Sequence, residues 1–411
     1  MADFMAEDAE YVMHTYGRLP IEPVLGHGST LVDSTGKEYL DFLAGVGAVS
    51  LGHCNPVVRD ALVEQVGKVW QTSNYFYAEN RAELAHDLSD LLSKTTDTEG
   101  HITGSTGTKW QAFFGNSGAE ANEGAIKVAR RWGEEELGGA AGILTAQRSF
   151  HGRTLATLAA TGQAAFHKSF LPMPAGFAAF PLNDADALEA AIANPPAGTG
   201  PLCAVMLECI QGEGGVWPAE AAFLKRAREL CSEHHLMLII DEVQTGFFRT
   251  GAPFAYQLAG IEPDIVSLAK GIADGFPMGA VCAREEVATL MHPGDHGSTF
   301  GGNCLAAAAG RACVEEMVKE EVGEHVIEAG NHLAEGLAKL PHVTEVRGHG
   351  LMRGAQLDVP FATEAVDKGL EAGLILNHIG DSILRFLPPL VITNAEIDMM
   401  LERLGKILEE A

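Results

Sequence analysis

"DIVSLAKGIADGFPMGA", residues 264–280, sets one lysine, Lys270, at the seam between an apolar run and a Gly/Pro segment. The run Ile265-Val266-Ser267-Leu268-Ala269 is short and apolar enough to form a buried strand. Desolvating an ammonium is costly, so a lysine in such a place either sheds its charge or escapes to water. Lys270 therefore snorkels at a strand end, or it is a neutral amine held for covalent chemistry. The same run decides the fold, because the pattern repeats. "AFFGN" (112–116), "GILTA" (142–146), "CAVMLECI" (203–210), "LMLIID" (236–241) and "GAVCA" (279–283) read as further buried strands. "SGAEANEGAIKVARRW" carries Ala121, Ala125, Val128 and Ala129 at helical spacing, and residues 219–235 form another helical stretch. Strands alternating with helices predict an α/β fold, with a mostly parallel sheet flanked by helices.

The ends of the chain read differently. "STLVDSTGKEYLDF" is hairpin-like, with "STGK" as its turn. From about residue 310 come two helical stretches, the strand-like "VTEVRGHGLMRGAQL" and a last helix. Together the ends predict a smaller α+β domain, residues 1–55 and 311–411, packed on a large domain of residues 56–310. The Gly/Thr-rich stretch around 97–110 reads as an exposed loop. Within it "GSTGTK" imitates a phosphate-binding loop, but Thr108 separates Gly107 from Lys109 and Trp110 follows, so the nucleotide motif is not met.

Composition limits the partners. The 411 residues carry 28 Lys+Arg against 55 Asp+Glu, a formal charge of −27, which excludes nucleic acid and anionic membrane as expected partners. No stretch approaches the roughly 18 consecutive apolar residues of a spanning helix. The acidic start "MADFMAEDAEYVMH" lacks the apolar region of a signal peptide. Seven cysteines without a CxxC pair point to reduced thiols in a cytoplasmic protein, with no metal site expected.

Around Lys270 the strand ends supply a set of complementary groups. Asp241 closes the apolar run "LMLIID", and open α/β sheets bind ligands at the carboxyl ends of their strands. A turn or helix cap is the ordinary alternative for such an aspartate. Ser117-Gly118-Ala119 open a helix, where exposed backbone N–H groups favour an anion. "SFHGRT" (149–154) offers an aromatic, Phe150, and a guanidinium, Arg153. These groups meet the needs of pyridoxal 5'-phosphate. Its aldehyde needs an amine such as Lys270, its pyridine nitrogen a carboxylate such as Asp241, its phosphate a helix N-terminus, and its ring an aromatic face.

The ordered motifs "GNSGAEANEGAIKVAR", "FHGRT", "ECIQGEGGV", "IIDEVQTGFFRTG", "PDIVSLAKGIADGFPMGA", "STFGGN" and "LRFLPPLVIT" resemble those of the class III, or omega, aminotransferases. These are fold-type I pyridoxal phosphate enzymes, and the likeness extends from about residue 40 to 393. "LPPLVIT", "QGEGGV" and overall length are most similar to the acetylornithine aminotransferases of arginine synthesis. The resemblance implies transfer of the δ-amino group of N-acetylornithine to 2-oxoglutarate, in a homodimer with active sites at the subunit interface. It implies that Lys270 forms the Schiff base and shuttles the proton, that Asp241 pairs with the pyridinium nitrogen, and that Gln244 lies near the phenolic oxygen. Ser117, Gly118 and Ala119 would hold the phosphate, Thr299 would reach the neighbouring subunit's phosphate, and Phe150 would stack on the ring. Arg153 would grip the distal carboxylate of the substrate. Glu213 would mask Arg385 in one half-reaction and release it to glutamate in the other.

Three departures stand out. Ala273-Asp274 occupy a stretch usually richer in glycine, and Phe248 precedes Arg249 where glycine is usual. Val46 stands where ornithine aminotransferases tend to carry tyrosine, which favours an acylated substrate, although Tyr75 and Tyr77 lie nearby in sequence. Ornithine, succinylornithine and 4-aminobutyrate remain alternative donors, since each carries a carboxylate for Arg153. A non-catalytic binding protein on the same fold is the alternative of a different class.

Overall fold

The computed structural model describes residues 4–411, so the first three residues of the acidic N-terminal segment lie outside it. Its centre is a seven-stranded sheet in the order Trp110–Gly115, Gly279–Arg284, Ile265–Leu268, Met237–Asp241, Leu202–Glu208, Gly142–Ala146, Phe177–Phe180. Only Gly279–Arg284 runs against its neighbours; the other six strands point one way. Four of the five inner strands, Gly142–Ala146, Leu202–Glu208, Met237–Asp241 and Ile265–Leu268, are buried along their whole length. That explains why they read as continuous apolar runs rather than alternating ones. Helix Gly118–Glu136 packs Ala125, Val128 and Ala129 onto one face of the sheet and buries Ala121 as well, as their spacing predicts.

Several elements differ from the reading of the sequence. The edge strand Phe177–Phe180 was not expected; it is only partly buried, so its apolar signal is weak. The stretch read as an exposed loop contains half of a short ribbon, Ile102–Ser105 against Lys94–Thr96, whose outer strand is exposed throughout. "VTEVRGHGLMRGAQL" is a hairpin of two strands, Val343–His349 and Met352–Leu357. The N-terminal hairpin forms from Thr30–Asp33 and Glu38–Asp41. Its second strand pairs in parallel with Leu374–Ile375, so the two ends of the chain share a sheet. Five of the seven cysteines are buried and all are unpaired. Among the described residues no helix is long and apolar enough to cross a membrane.

The carboxyl ends of five parallel strands open on a common edge, where Glu208 and Asp241 end two of them and Ser117, Phe150 and Lys270 follow the other three. A contact on the far side of the same layer is tight: a β-carbon on Gly133 would overlap the Ala140 carbonyl and lie 2.7 Å from Cys203 Cβ. Gly133→Ala gains about 1 kcal/mol of helix propensity, but overpacking a close helix–strand contact costs about 1–3 kcal/mol and the obstacle here is backbone. The net effect is destabilising, and thermal unfolding of the variant should show a Tm lowered by a few degrees. An unchanged or raised Tm would show that the helix shifts to admit the methyl group at no cost.

Candidate active site

A cavity of about 370 Å³ lies over this edge, within the usual range for small-molecule sites, about 300–1,000 Å³. Asp241 forms its floor. The carboxylate is buried, and Oδ2 accepts from Asn122 Nδ2 at 2.7 Å and from His151 Nδ1 at 2.8 Å. Oδ1 accepts from the Val243 N–H at 3.0 Å. Three donors fix its orientation in a place where a bare carboxylate would be costly. Glu208 lies beside it, because the two residues are partners in register on adjacent strands. Glu208 accepts from the Phe150 N–H at 3.0 Å, and burial, reinforced by the charge of Asp241, pushes its carboxyl well above the usual range.

Lys270 enters from the next strand at φ 47°, in a left-handed conformation that a residue with a β-carbon seldom adopts. It begins the single turn Lys270–Ala273 and lines the cavity. Burial holds its ammonium below the ordinary lysine value, partly offset by Asp241 and Glu213. Among the described residues no hydrogen-bond acceptor is within reach of its Nζ. An amine of lowered basicity and without a partner is a nucleophile in waiting.

At the opposite side, Ser117 caps helix Gly118–Glu136, accepting from Glu120 N at 3.2 Å. The next two N–H groups, of Gly118 and Ala119, lack intrahelical acceptors and belong to the cavity wall. Gly118 is required there, since a β-carbon would come within 2.7 Å of Val243 Cγ1. The Glu120 carboxylate lies outside the cavity lining, accepting from Asn116 N at 2.7 Å and from Ser117 Oγ at 3.3 Å, while the Gly118 and Ala119 N–H groups stay open to an anion.

The substrate side is arginine-rich. Arg385, nearly inaccessible, donates to Glu213 Oε1 at 2.5 Å and to Asn377 Oδ1 at 2.8 Å. Burial alone would raise the Glu213 carboxyl, but the charge and hydrogen bond of Arg385 outweigh it and hold it below its ordinary value. Gln244 lies beside Glu213, its Nε2 at 3.5 Å and its own Oε1 buried without a partner. Arg153 is exposed at the mouth, its guanidinium over the rings of Phe166 (4.0 Å) and Phe150 (5.2 Å). It makes no ion pair with any described residue.

The fold thus gathers Lys270, Asp241, Ser117, Gly118, Ala119, Phe150, Gln244, Arg153 and Glu213 around the cavity, with Arg385 behind Glu213. Thr299, Tyr75 and Tyr77 lie outside it on exposed loops. Val46 packs beside Ile210, Val216, Met352 and Leu387, and Ala48 forms the wall instead. Asn122, His151 and Glu208 escaped the reading of the sequence. Glu208 alone left a signal there, since it ends an apolar run as Asp241 does.

The model of the family "Aminotransferase class-III" matches residues 11–408. The chain is a class-III aminotransferase. It is 45% identical over 408 residues to the acetylornithine aminotransferase of Caldanaerobacter subterraneus, covering 98% of both chains. It is 42% identical over 411 residues to that of Methanocaldococcus jannaschii, covering 98% of this chain and 97% of the other. Among solved structures it resembles the ornithine aminotransferase of Toxoplasma gondii (TM-score 0.89, 32% identity, 100% and 96% coverage). It also resembles the N-acetylornithine aminotransferase of Stenotrophomonas maltophilia (TM-score 0.81, 35% identity, 99% and 98% coverage).

As a class-III aminotransferase the protein uses pyridoxal phosphate, and the site fits that group. A fixed carboxylate, a partnerless amine, a bare helix N-terminus and a buried amide oxygen still short of a partner all line one cavity. The lowered basicity of Lys270 carries a cost in stability. Its folded pKa lies below the unfolded value, so the fold binds that proton less tightly than the unfolded chain does. Stability therefore rises as pH climbs from the folded value to 10.5, and below that window the ammonium is a net burden. Lys270→Met, of similar volume and uncharged, should raise the Tm of the cofactor-free protein at neutral pH; a lower Tm would contradict a desolvated amine.

Proposed function

We propose that the protein transfers the δ-amino group of N-acetylornithine to 2-oxoglutarate, in two half-reactions that use one cavity in turn. The observation that carries the reading is the Glu213–Arg385 pair, a masked cation beside the cavity that holds Lys270. The acetylornithine aminotransferases similar over nearly the whole chain support the donor. So does the apolar Ala48 on the cavity wall, which offers no polar group to a free α-amine.

Bound pyridoxal phosphate supplies an electron sink for charge developing at the carbon that bears the reacting amine. The chain's residues do the rest. Lys270 would hold the cofactor through its Nζ, and its amine would take and return the proton at the reacting carbon. Asp241, oriented by Asn122 and His151, would keep a proton on the ring nitrogen. Gly118 and Ala119 would hold the phosphate with Ser117, Phe150 would cover the ring, and Gln244 would lie at its phenolic oxygen. Arg153 takes the distal carboxylate common to both substrates. Arg385 stays paired while the donor's δ-carbon, which lacks a carboxylate, reacts. When Glu213 swings away, the freed Arg385 would receive the α-carboxylate of glutamate.

The reading includes a homodimer in which Thr299 completes the neighbouring phosphate site. Support comes from an exposed aromatic strip: Trp70, Tyr75, Phe76 and Tyr77 lie beside Phe300 and Thr299, joined by Asn74 Nδ2 donating to Ser298 O at 3.1 Å. It also includes a large domain of residues 56–310, a smaller one from both chain ends, and a cytoplasmic location.

Single half-reactions test the donor. The cofactor-loaded protein, mixed in turn with N-acetylornithine, ornithine, succinylornithine and 4-aminobutyrate, should lose its visible band fastest with N-acetylornithine. Faster loss with ornithine or 4-aminobutyrate would overturn the donor assignment while leaving transamination standing. The switch is tested separately. Arg385→Ala should slow the glutamate half-reaction by about 100-fold, the order of a lost buried charge-assisted pair, and the donor half-reaction far less. Arg153→Ala should weaken both substrates. Equal losses on Arg385→Ala would remove the switch.

A further inference from the structure

Asp274, one of the departures noted in the sequence, takes no part in the scheme above. It sits at φ 47°, ψ 46°, a conformation that glycine enters freely and other residues only at a cost. Aspartate tolerates it better than most. Here the side chain has a defined partner: Oδ1 accepts from the Leu51 N–H at 2.8 Å, and the Ser50 N–H faces the same carboxylate. The Ser50–Leu51 stretch is gripped from the other side too. Ser50 O accepts from Leu390 N at 2.7 Å, five residues beyond Arg385. Its Oγ packs on the lysine turn so closely that a β-carbon on Gly271 would lie 2.7 Å away. Two residues before Ser50, Ala48 forms the cavity wall.

We infer that Asp274 is a positioning residue, whose carboxylate clamps the Ser50–Leu51 peptides to the turn begun by Lys270 and so sets the reactive amine against the substrate wall at Ala48. The inference rests on the roles proposed above for Lys270 and for that wall.

The clamp and the stability of the fold respond to pH in opposite senses. Burial pushes the Asp274 carboxyl up to about 6, opposed by the Leu51 N–H, by His53 and by the Ser50 N–H. The other groups packed around it are Cys54 and Arg59, which line the groove beside it, and Cys313, kept protonated by burial and by Asp274 itself. His53 is itself bound to Asp41 at 2.8 Å. A folded value above the usual 3.8 means that its stability contribution is full below 3.8 and lost as pH rises through about 6. As a charge-assisted acceptor, however, the group grips best above about 6, when ionised.

Asn in its place is a neutral acceptor at every pH; glycine removes the clamp and keeps the backbone. The test follows both half-reactions of the full-length, cofactor-loaded protein on either side of pH 6, with Tm measured in parallel. Asp274→Asn should be about tenfold slower than the native chain at alkaline pH, the order expected of a misplacement well under 1 Å. It should also lose the acid limb near 6 while its Tm stays equal or rises. Asp274→Gly should be slower still. Native rates with the acid limb retained in Asp274→Asn would overturn the clamp. So would losses in both variants that merely track Tm or cofactor occupancy. A native chain inert toward every ω-amino donor would instead sink the proposed function, and this inference with it.

Discussion

The three hydrogen bonds that hold the Asp241 carboxylate fix the remainder of the site. Burying a carboxylate at a strand end is tolerable only where donors meet it, and Asn122, His151 and the Val243 N–H come from three different segments. Asn122 belongs to the helix whose first turn faces the phosphate side, and His151 directly follows Phe150. Satisfying one charge therefore fixes the helix N-terminus, the aromatic cover and the floor of the cavity relative to one another. The parallel sheet makes this possible, since it delivers these segments to a common edge.

The electrostatic balance of the cavity is uneven. Asp241, Glu208 and Glu213 bring carboxyl groups near a single lysine whose basicity burial has lowered, while Arg385 is neutralised by Glu213. Neighbouring carboxyl groups separate into different states: Glu213 is held ionised by its arginine, and Glu208 is driven toward the neutral acid by burial and by Asp241. A neutral Glu208 can still accept from Phe150 N without adding a second negative charge beside Asp241. Such an arrangement serves chemistry rather than stability, and the apolar inner strands beneath it supply the compensation.

What could be read in the sequence was whatever depends on local pattern. Lys270 and Asp241 each end an apolar run, and the Ser117 turn joins a strand to a helix with clear periodicity, so their common edge followed from the parallel sheet. The family resemblance supplied Glu213, Gln244 and Arg385, whose spacing alone says nothing. Contacts across long separations left no trace: Asn122 and His151 lie 119 and 90 residues from the aspartate they serve. Backbone strain was equally silent. Ala44, Gly45, Val46 and Gly47 all adopt positive φ in succession, which two glycines permit but do not foretell. That turn directs Val46 into an apolar cluster and leaves Ala48 on the cavity wall.

One cavity that serves two substrates can adapt by moving its walls or by moving a side chain, and the fold favours the second. Arg385 lies on a strand paired on both sides, opposite Gly354 and Asn377, so its backbone is fixed. The stretch beyond it is tied by Arg249, wholly buried, whose Nη1 donates to Pro388 O at 2.5 Å and to Leu351 O at 3.1 Å. Glu213 is different. It is a third exposed and sits in a loop between Gly212 and Gly214-Gly215, where the backbone is least restricted. Its partner Gln244 is held to it only at 3.5 Å. Rotating one carboxylate costs a single ion pair, which the incoming α-carboxylate of glutamate replaces, whereas shifting the Arg385 strand would break the sheet on both flanks. On the proposed reading the switch therefore belongs to Glu213, and Arg385 is the fixed point against which both substrates are measured.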